Sequence, residues 1–318
     1  MIYTGQSAID HLATKINKTD PSASSHWQKY HSAFNFTGNG FKGLEGFGGC
    51  QPPPLGVRSL AHQLLQFSFR KMGKSFPSFN HVDREAKNIT TSQNRHYDLD
   101  VLRQTLSLSF LQKTIPATLT SSSMACVIGD GFAAMTSLLL ATQLAGCVVL
   151  VNLTKSLLVD LWYLKLWLGA DELDARVNLV TDRTSLENIK EKWDSQPEIG
   201  LVLAFEARNQ NLLKFCPVDY AVNIVAMQEM DHKVTAAYFN DLRTIARSRE
   251  LFFYCCNREE KTLPDGTITR FENYPWLAED QLLTDELCPW HKFYYSKRPP
   301  FYHQYNPIRH RLVGLAPK

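Results

Sequence analysis

The stretch MACVIGDGFAAMTSLLLATQLAGCVVLVN, residues 124–152, decides the fold predicted for this chain. It begins with a short apolar run ending in Gly-x-Gly, continues with helix formers from Ala133 to Leu144, and closes on a β-branched run, Cys147 to Asn152. A strand, a glycine turn, a helix and a second strand are the parts of a parallel α/β sheet. Residues 131–154 carry no charge, but the change of composition midway favours a buried helix and strand over a membrane span.

Apolar strands and helices alternate through most of the chain that follows. Further strands are predicted at Val177–Val180, Ile199–Phe205, Tyr220–Ala226 and Leu251–Asn257. Strands that are apolar throughout, with helices between them, indicate a parallel sheet covered on both faces.

The alternation of strands and helices stops near the end of the chain. His291–Ser296 and Ile308–Leu315 are strand-like, and no good helix lies between them. The sequence therefore predicts a mostly parallel sheet of about seven strands that ends in an antiparallel pair.

Residues 1–120 differ in composition and hydrophobic pattern from the rest of the chain. They hold a loop rich in glycine, proline and aromatics, Phe34–Pro54, and a helix predicted at Asp98–Gln112 that opens with acidic residues suited to a helix N-terminus. Because no strand series occurs there, we predict a mostly helical cap or substrate region over residues 1–120 and a sheet domain over residues 121–318.

The composition excludes several classes of protein. Of 318 residues, 44% are hydrophobic, 20% charged and 11% aromatic, which excludes collagen-like, disordered and disulfide-scaffold chains. A net charge of +3 gives no polyanion groove, so no nucleic-acid partner is predicted. Seven cysteines without a C-x-x-C pair predict reduced thiols and no metal site. No secretory signal is visible, so we expect a cytoplasmic protein without a transmembrane segment, its homo-oligomerisation left open.

The turn Gly129-Asp130-Gly131-Phe132-Ala133-Ala134 has the form G-x-G-x-x-A between a strand and a helix. Glycines in this context let a ligand approach the backbone at a helix N-terminus. A nicotinamide cofactor would want an acidic residue at the end of the second strand, where Asn152 stands. S-adenosylmethionine, which carries no pyrophosphate, is the second candidate ligand. The late position of the turn in the chain and the terminal antiparallel strand pair favour it over a nicotinamide cofactor.

Several stretches near the C-terminus resemble the sugar O-methyltransferases of bacterial surface-polysaccharide gene clusters. They are NIVAMQEM (residues 223–230), YCCNREEKTLPDGTITRFENYPW (254–276), DELCPWHKFYYS (285–296) and HRL (310–312). The turn VIGDGF and the strand after it match more loosely.

The resemblance implies a Rossmann-like class I methyltransferase sheet that uses S-adenosylmethionine to methylate a sugar or nucleotide-sugar hydroxyl in surface-glycan biosynthesis. The predicted cofactor residues are Gly129, Asp130, Gly131, Phe132, Asn152, Asn209 and Asn223. Two alternatives stay open: an NAD-dependent oxidoreductase of the Rossmann type, and a non-catalytic Rossmann scaffold in a glycan-assembly complex.

Charged residues follow two of the predicted strands at the edge where ligands of open α/β sheets bind. Glu229 and His232 come after the strand at Tyr220–Ala226 and are predicted as general bases, with His291 as a further candidate. Arg258, Glu259 and Lys261 come after Leu251–Asn257 and are predicted to bind substrate. The structural alternatives are a helix start, a surface ion-pair cluster and, for His291, a packed core histidine.

Overall fold

The structure, a computed structural model, describes residues 2–18, 20–44, 51–54, 56–195, 200–296 and 299–318. The strands within these ranges are β1 (Tyr3–Thr4), β2 (Asn35–Phe36), β3 (Phe41–Lys42), β4 (Met124–Ile128), β5 (Cys147–Asn152), β6 (Val177–Val180), β7 (Leu201–Glu206), β8 (Tyr220–Ile224), β9 (Phe252–Arg258), β10 (Glu260–Thr262), β11 (Ile268–Arg270), β12 (Gln281–Leu287), β13 (Phe293–Tyr295), β14 (Tyr302–Gln304) and β15 (Ile308–Gly314).

The α-helices within the same ranges are α1 (Gly5–Ala13), α2 (Ser25–His31), α3 (Val57–Leu65), α4 (Phe67–Gly73), α5 (Phe79–Ser92), α6 (Leu99–Thr114), α7 (Ala134–Ala141), α8 (Thr154–Leu168), α9 (Ala170–Arg176), α10 (Arg183–Ser195) and α11 (His232–Ala246). Short 3-10 helices cover Ala207–Phe215, Met227–Glu229, Phe271–Asn273 and Pro289–His291.

Nine of the strands form one sheet in the order β1-β6-β7-β5-β4-β8-β9-β15-β12. The six strands from β6 to β9 in this order are parallel, whereas β1, β15 and β12 run antiparallel to their neighbours. The chain leaves β4 towards β5 on one side and returns to β8 on the other, so the order reverses at β4. The predicted α/β class, with a mostly parallel Rossmann-like sheet and an antiparallel last strand, is confirmed.

The central strands are apolar throughout because both faces of the sheet are covered. Val127 and Leu150 point into a core shared with α1 and with helices α4 to α9, and Cys126 and Val149 point into a second core shared with α10 and α11. Helices that precede residue 120 therefore share a core with the sheet. The uncharged stretch divides into α7 and β5 as predicted, and none of the helices in the described ranges is both long and apolar enough to cross a bilayer.

The predicted terminal strand pair is wrong in one partner. Strand β15 lies inside the sheet between β9 and β12, whereas β13, from the predicted segment His291–Ser296, pairs with β14 in a separate hairpin. The partner that was missed, β12 with sequence QLLTDEL, is an exposed or half-buried edge strand with two acidic residues. Asp285 on β12 accepts hydrogen bonds from Arg309 and Arg311 on β15, so its charge is paired across the sheet.

Asp98 at the start of α6 allows a prediction about stability and pH. Its carboxylate accepts a hydrogen bond from the Val101 N–H at 3.0 Å, and burial, followed by the nearby Asp100, raises its pKa to about 6. Ionising a group whose folded-state pKa is raised destabilises the fold, so this penalty is absent below about pH 4 and complete above about pH 6. We expect Asp98→Asn, which keeps an accepting oxygen, to raise the free energy of unfolding by about 1–2 kcal/mol at pH 7 and to change it little at pH 4.

Urea unfolding at both pH values measures this difference, with Asp182→Asn as the matched control. Asp182 accepts a hydrogen bond from the Ser185 N–H at 2.8 Å at the start of α10, and that bond lowers the pKa of Asp182. A lowered pKa stabilises the fold once the group is ionised, so the control should lose stability at pH 7, opposite in sign to Asp98→Asn. A loss of stability at pH 7 in both variants would contradict a raised pKa of Asp98 in the folded protein.

Candidate functional site

A cavity of about 250 Å³ lies over the carboxyl ends of β4, β5 and β8, where the strand order reverses. Open α/β sheets bind their ligands at this place. The turn after β4, the start of α8 and residues 224–226 after β8 form its floor, and an N-terminal segment that includes Trp27 and Phe34 forms a wall.

The two glycines of the turn have different tasks. Both have left-handed backbone angles, with φ of +71° at Gly129 and +81° at Gly131. A Cβ atom added to Gly129 would lie 2.5 Å from the Cβ of Ala226, so Gly129 lets the end of β8 approach the turn. A Cβ atom added to Gly131 would meet no atom within 4 Å. Gly131 therefore leaves free space on the cavity side of the turn.

Asp130 and Asn152, both predicted cofactor residues, line the cavity but already have partners. The Asp130 carboxylate accepts hydrogen bonds from the N–H groups of Met135 (2.9 Å) and Thr136 (2.7 Å) and so caps α7. The Asn152 side chain donates to Asp160 Oδ2 at 2.8 Å and accepts from the Leu153 N–H at 2.9 Å. The amide of Asn152 thus orients a buried carboxyl group.

That carboxyl group, Asp160 on α8, is a cavity residue that the sequence reading missed. Its Oδ1 accepts a hydrogen bond from the Ala133 N–H at 3.0 Å, and burial followed by the nearby Asp130 raises its pKa well above the ordinary value. Burial also raises the pKa of Asp130, against the hydrogen bonds it accepts. The only local signal was one acidic residue in an otherwise apolar helical run, KSLLVDLWYL.

The described residues that line the cavity include three carboxylic acids, Asp130, Asp160 and Glu229, and no lysine, arginine or histidine. The remaining lining is apolar, aromatic or small and polar. Carboxyl groups suit a ligand that carries positive charge, because a cation bound beside them would favour their ionised form. A pyrophosphate would meet no basic side chain among the described lining residues.

Glu229 borders the cavity from the 3-10 helix Met227–Glu229. Its Oε1 is 2.5 Å from Lys261 Nζ and 3.3 Å from His26 Nε2, and its backbone carbonyl accepts a hydrogen bond from Ser24 Oγ. Burial raises the pKa of Glu229, and Lys261 acts against this shift. Burial and the nearby Lys261 lower the pKa of His26 to about 4, so His26 is uncharged at neutral pH.

A network of buried amides fixes the turn that carries Glu229. Asn223 donates to the Ile128 carbonyl at 2.8 Å, and its Oδ1 accepts from the Met227 N–H and from Asn257 Nδ2. Asn257 Oδ1 accepts in turn from the Gln228 N–H at 3.1 Å. Asn223, predicted to bind cofactor, therefore lies beneath the cavity and ties together the ends of β4, β8 and β9.

Three of the predicted site residues lie away from the cavity. Exposed His232 is placed with its Nε2 3.1 Å from the Ile268 carbonyl. His291 is buried among thiol groups. Asn209 donates to the Thr181 carbonyl at 3.4 Å. Of the three predicted bases, only Glu229 borders the cavity.

Of the predicted substrate residues, Lys261 and Arg258 lie close enough to Glu229 to act on its charge. Lys261 contacts Glu229 directly, and Arg258 donates to the Tyr305 hydroxyl at 3.1 Å. Glu259 accepts from Arg309 at 3.1 Å and is partly exposed. The predicted loop Phe34–Pro54 is described over residues 34–44 and 51–54, and its residue Leu44 lines the cavity. Residues 45–50 lie outside the described ranges.

No protein-family model and no curated protein sequence matches the chain. Among solved structures, it is similar to the methyltransferase domain of bacterial CtHen1, with 13% identity over 69% of this chain and 100% of that one and a TM-score of 0.35. A SAM-dependent methyltransferase from Leishmania major shares 13% identity over 68% and 71% of the two chains, with a TM-score of 0.36. The mitomycin 7-O-methyltransferase MmcR shares 11% identity over 68% and 57%, with a TM-score of 0.33. Likeness of this degree does not transfer a substrate or an activity.

Proposed function

We propose that this chain is an S-adenosylmethionine-dependent O-methyltransferase that methylates a hydroxyl group of a sugar or nucleotide-sugar in surface-glycan biosynthesis. The observation that carries the proposal is the cavity at the reversal of the strand order, which is lined by three carboxylic acids and by no basic residue in the described part of the chain.

The lining of the cavity separates the two cofactor classes considered from the sequence. S-adenosylmethionine carries a sulfonium and an ammonium group, and a cation beside Asp130 or Asp160 would favour the ionised form of these carboxyl groups, whose pKa burial raises. NAD would instead place two phosphates in a cavity that offers them no basic side chain among its described lining residues. The open space over Gly131 leaves room for a ligand beside the turn. These features fit S-adenosylmethionine, which Asp130, Asp160 and the Gly131 backbone would hold, and which supplies an electrophilic methyl group.

Glu229 would act as the general base. Its carboxylate would accept the proton that the acceptor hydroxyl loses as the hydroxyl oxygen bonds to the methyl carbon and the carbon–sulfur bond breaks. Lys261 and His26 both contact the carboxylate at Oε1, and Glu229 borders the cavity where the acceptor would bind. Because burial raises the pKa of Glu229, the carboxylate is a better proton acceptor than an exposed glutamate.

Support for a sugar acceptor comes from the family resemblance and from the N-terminal wall of the cavity. Trp27 contributes an aromatic ring and Ser22 a polar residue to the same side of the cavity. An aromatic ring with a polar rim suits a ligand that has both apolar ring faces and hydroxyl groups.

Isothermal titration of the full chain with S-adenosylmethionine, S-adenosylhomocysteine and NAD tests the cofactor. We expect both sulfur ligands to bind and NAD not to bind. Tight binding of NAD alone would establish the oxidoreductase alternative, and binding of none of the three would favour a non-catalytic scaffold. Methyl transfer to a panel of nucleotide-sugars and polysaccharide fragments then tests the acceptor. Transfer only to compounds that are not sugars would refute this part of the proposal.

A further inference from the structure

Three potential metal ligands meet in the core that β9 shares with α6 and α7. Cys256 comes from β9, and Cys288 and His291 come from the segment after β12. His291 Nδ1 lies 3.2 Å from Cys288 Sγ and 3.7 Å from Cys256 Sγ. The three side-chain atoms lie within 4.8 Å of one another, and the residues are 0%, 1% and 3% exposed.

We propose that Cys256, Cys288 and His291 bind a structural zinc ion. Zinc–sulfur bonds of about 2.3 Å and zinc–nitrogen bonds of about 2.0–2.1 Å at a tetrahedral angle place sulfur and nitrogen about 3.5 Å apart. The two measured sulfur–nitrogen distances, 3.2 and 3.7 Å, lie on either side of that value. An ion at the centre would meet all three atoms with little movement of the side chains.

The chemistry of the cluster agrees with this assignment. Two thiolates and one neutral imidazole around Zn²⁺ form a site with no net charge, which a buried position tolerates. Without an ion, His291 Nδ1 has a single lone pair and can accept a hydrogen bond from only one of the two thiols. On the neighbouring strand, His310 is the register partner of Cys256, and its Nδ1 lies 3.1 Å from the Tyr254 hydroxyl. These two polar groups therefore lie beside Cys256.

The ion would stabilise the end of β9. Cys256 directly precedes Asn257, whose side chain bonds Asn223 and Gln228 beneath the turn that carries Glu229. A bond from Cys256 through the ion to Cys288 and His291 would fix this strand end to the segment after β12. The inference stands on these ligands alone and does not rest on the proposed methyl transfer.

Metal analysis of the purified, reduced full chain tests the site. We expect about one zinc per chain by inductively coupled plasma mass spectrometry. After exchange for cobalt, the protein should show thiolate-to-cobalt charge-transfer bands and the visible bands of tetrahedral coordination. Cys288→Ser should lower metal content roughly tenfold or more, while Cys216→Ser, which changes another buried thiol outside the cluster, should not.

Two results would overturn the proposal. One is a reduced wild-type chain that takes up no stoichiometric zinc or cobalt, and the other is a cobalt-loaded chain without thiolate bands. Both measurements use the wild-type protein, so they decide the question even where Cys288→Ser fails to fold. Removing zinc with a chelator should also lower the melting temperature, and adding zinc back should restore it; an unchanged melting temperature would contradict a structural role.

Discussion

Replacing Glu229 with glutamine should lower the rate of methyl transfer by roughly 100- to 10,000-fold, the range expected for loss of a general base. Glutamine has nearly the same size as glutamate and retains an acceptor for the Lys261 ammonium, but it cannot take a proton from the acceptor hydroxyl. Binding of S-adenosylmethionine should change little, because Glu229 acts on the acceptor side.

The measurement is kcat at saturating S-adenosylmethionine and acceptor, accompanied by calorimetric affinity for the cofactor. Glu272→Gln is a matched control, since Glu272 is exposed in the 3-10 helix Phe271–Asn273 and does not line the cavity. If Glu229→Gln retained full activity, Glu229 would be excluded as the base, and His26, 3.3 Å from its carboxylate, would be the next residue to test.

The pH dependence of kcat gives a second readout of the same role. Because burial raises the pKa of Glu229, the carboxylate should become protonated, and the rate should fall, at a pH above the ordinary glutamate value of 4.5. His26, with a pKa of about 4, is uncharged throughout that range and cannot cause this fall in rate at low pH. The fall should be absent in Glu229→Gln. If Glu229 only positioned the acceptor, Glu229→Gln would still show the fall.

The main sheet could be predicted because its strands are apolar on both faces and are separated by helices. The β4 turn, β5 and β9 lie where the sequence placed them, within a few residues. Strand β12 was missed because an edge strand needs no apolar pattern, and QLLTDEL instead pairs its charge with arginines of β15. Pairing across a sheet is a long-range property, so a local pattern predicted a strand at Phe293–Tyr295 but assigned it the wrong partner.

The candidate site was predictable where residues adjoin strand ends and unpredictable where tertiary contacts define it. Gly131 and Glu229 follow β4 and β8, so position alone indicated them. Asp160 lies inside a helix and His26 in a distant N-terminal segment, and each reaches the site only through folding. Asn223 lies at the expected strand end, but its amide is used to bond the Ile128 carbonyl. Residue type and position therefore do not reveal which groups already have partners.

Replacing Gly131 with leucine should weaken S-adenosylmethionine binding by roughly a hundredfold or more, equivalent to about 2.7 kcal/mol. The added side chain would enter the space beside the turn where no atom now lies within 4 Å of a Cβ position. Gly129 cannot serve this test, because a side chain there would strike Ala226 at 2.5 Å and destabilise the fold itself.

Gly266→Leu separates the loss of space from the backbone strain that any side chain brings to these positions. Gly266 has a φ of +89°, close to the +81° of Gly131, and it too has no atom within 4 Å of an added Cβ, but it lies in the exposed turn between β10 and β11. Both variants should therefore lose about 1–2 kcal/mol of stability in urea unfolding, since a side chain disfavours positive φ to a similar degree at either place. Only Gly131→Leu should lose the cofactor. Because the strain is common to both, unchanged cofactor affinity in Gly131→Leu would mean that the ligand does not lie over this turn.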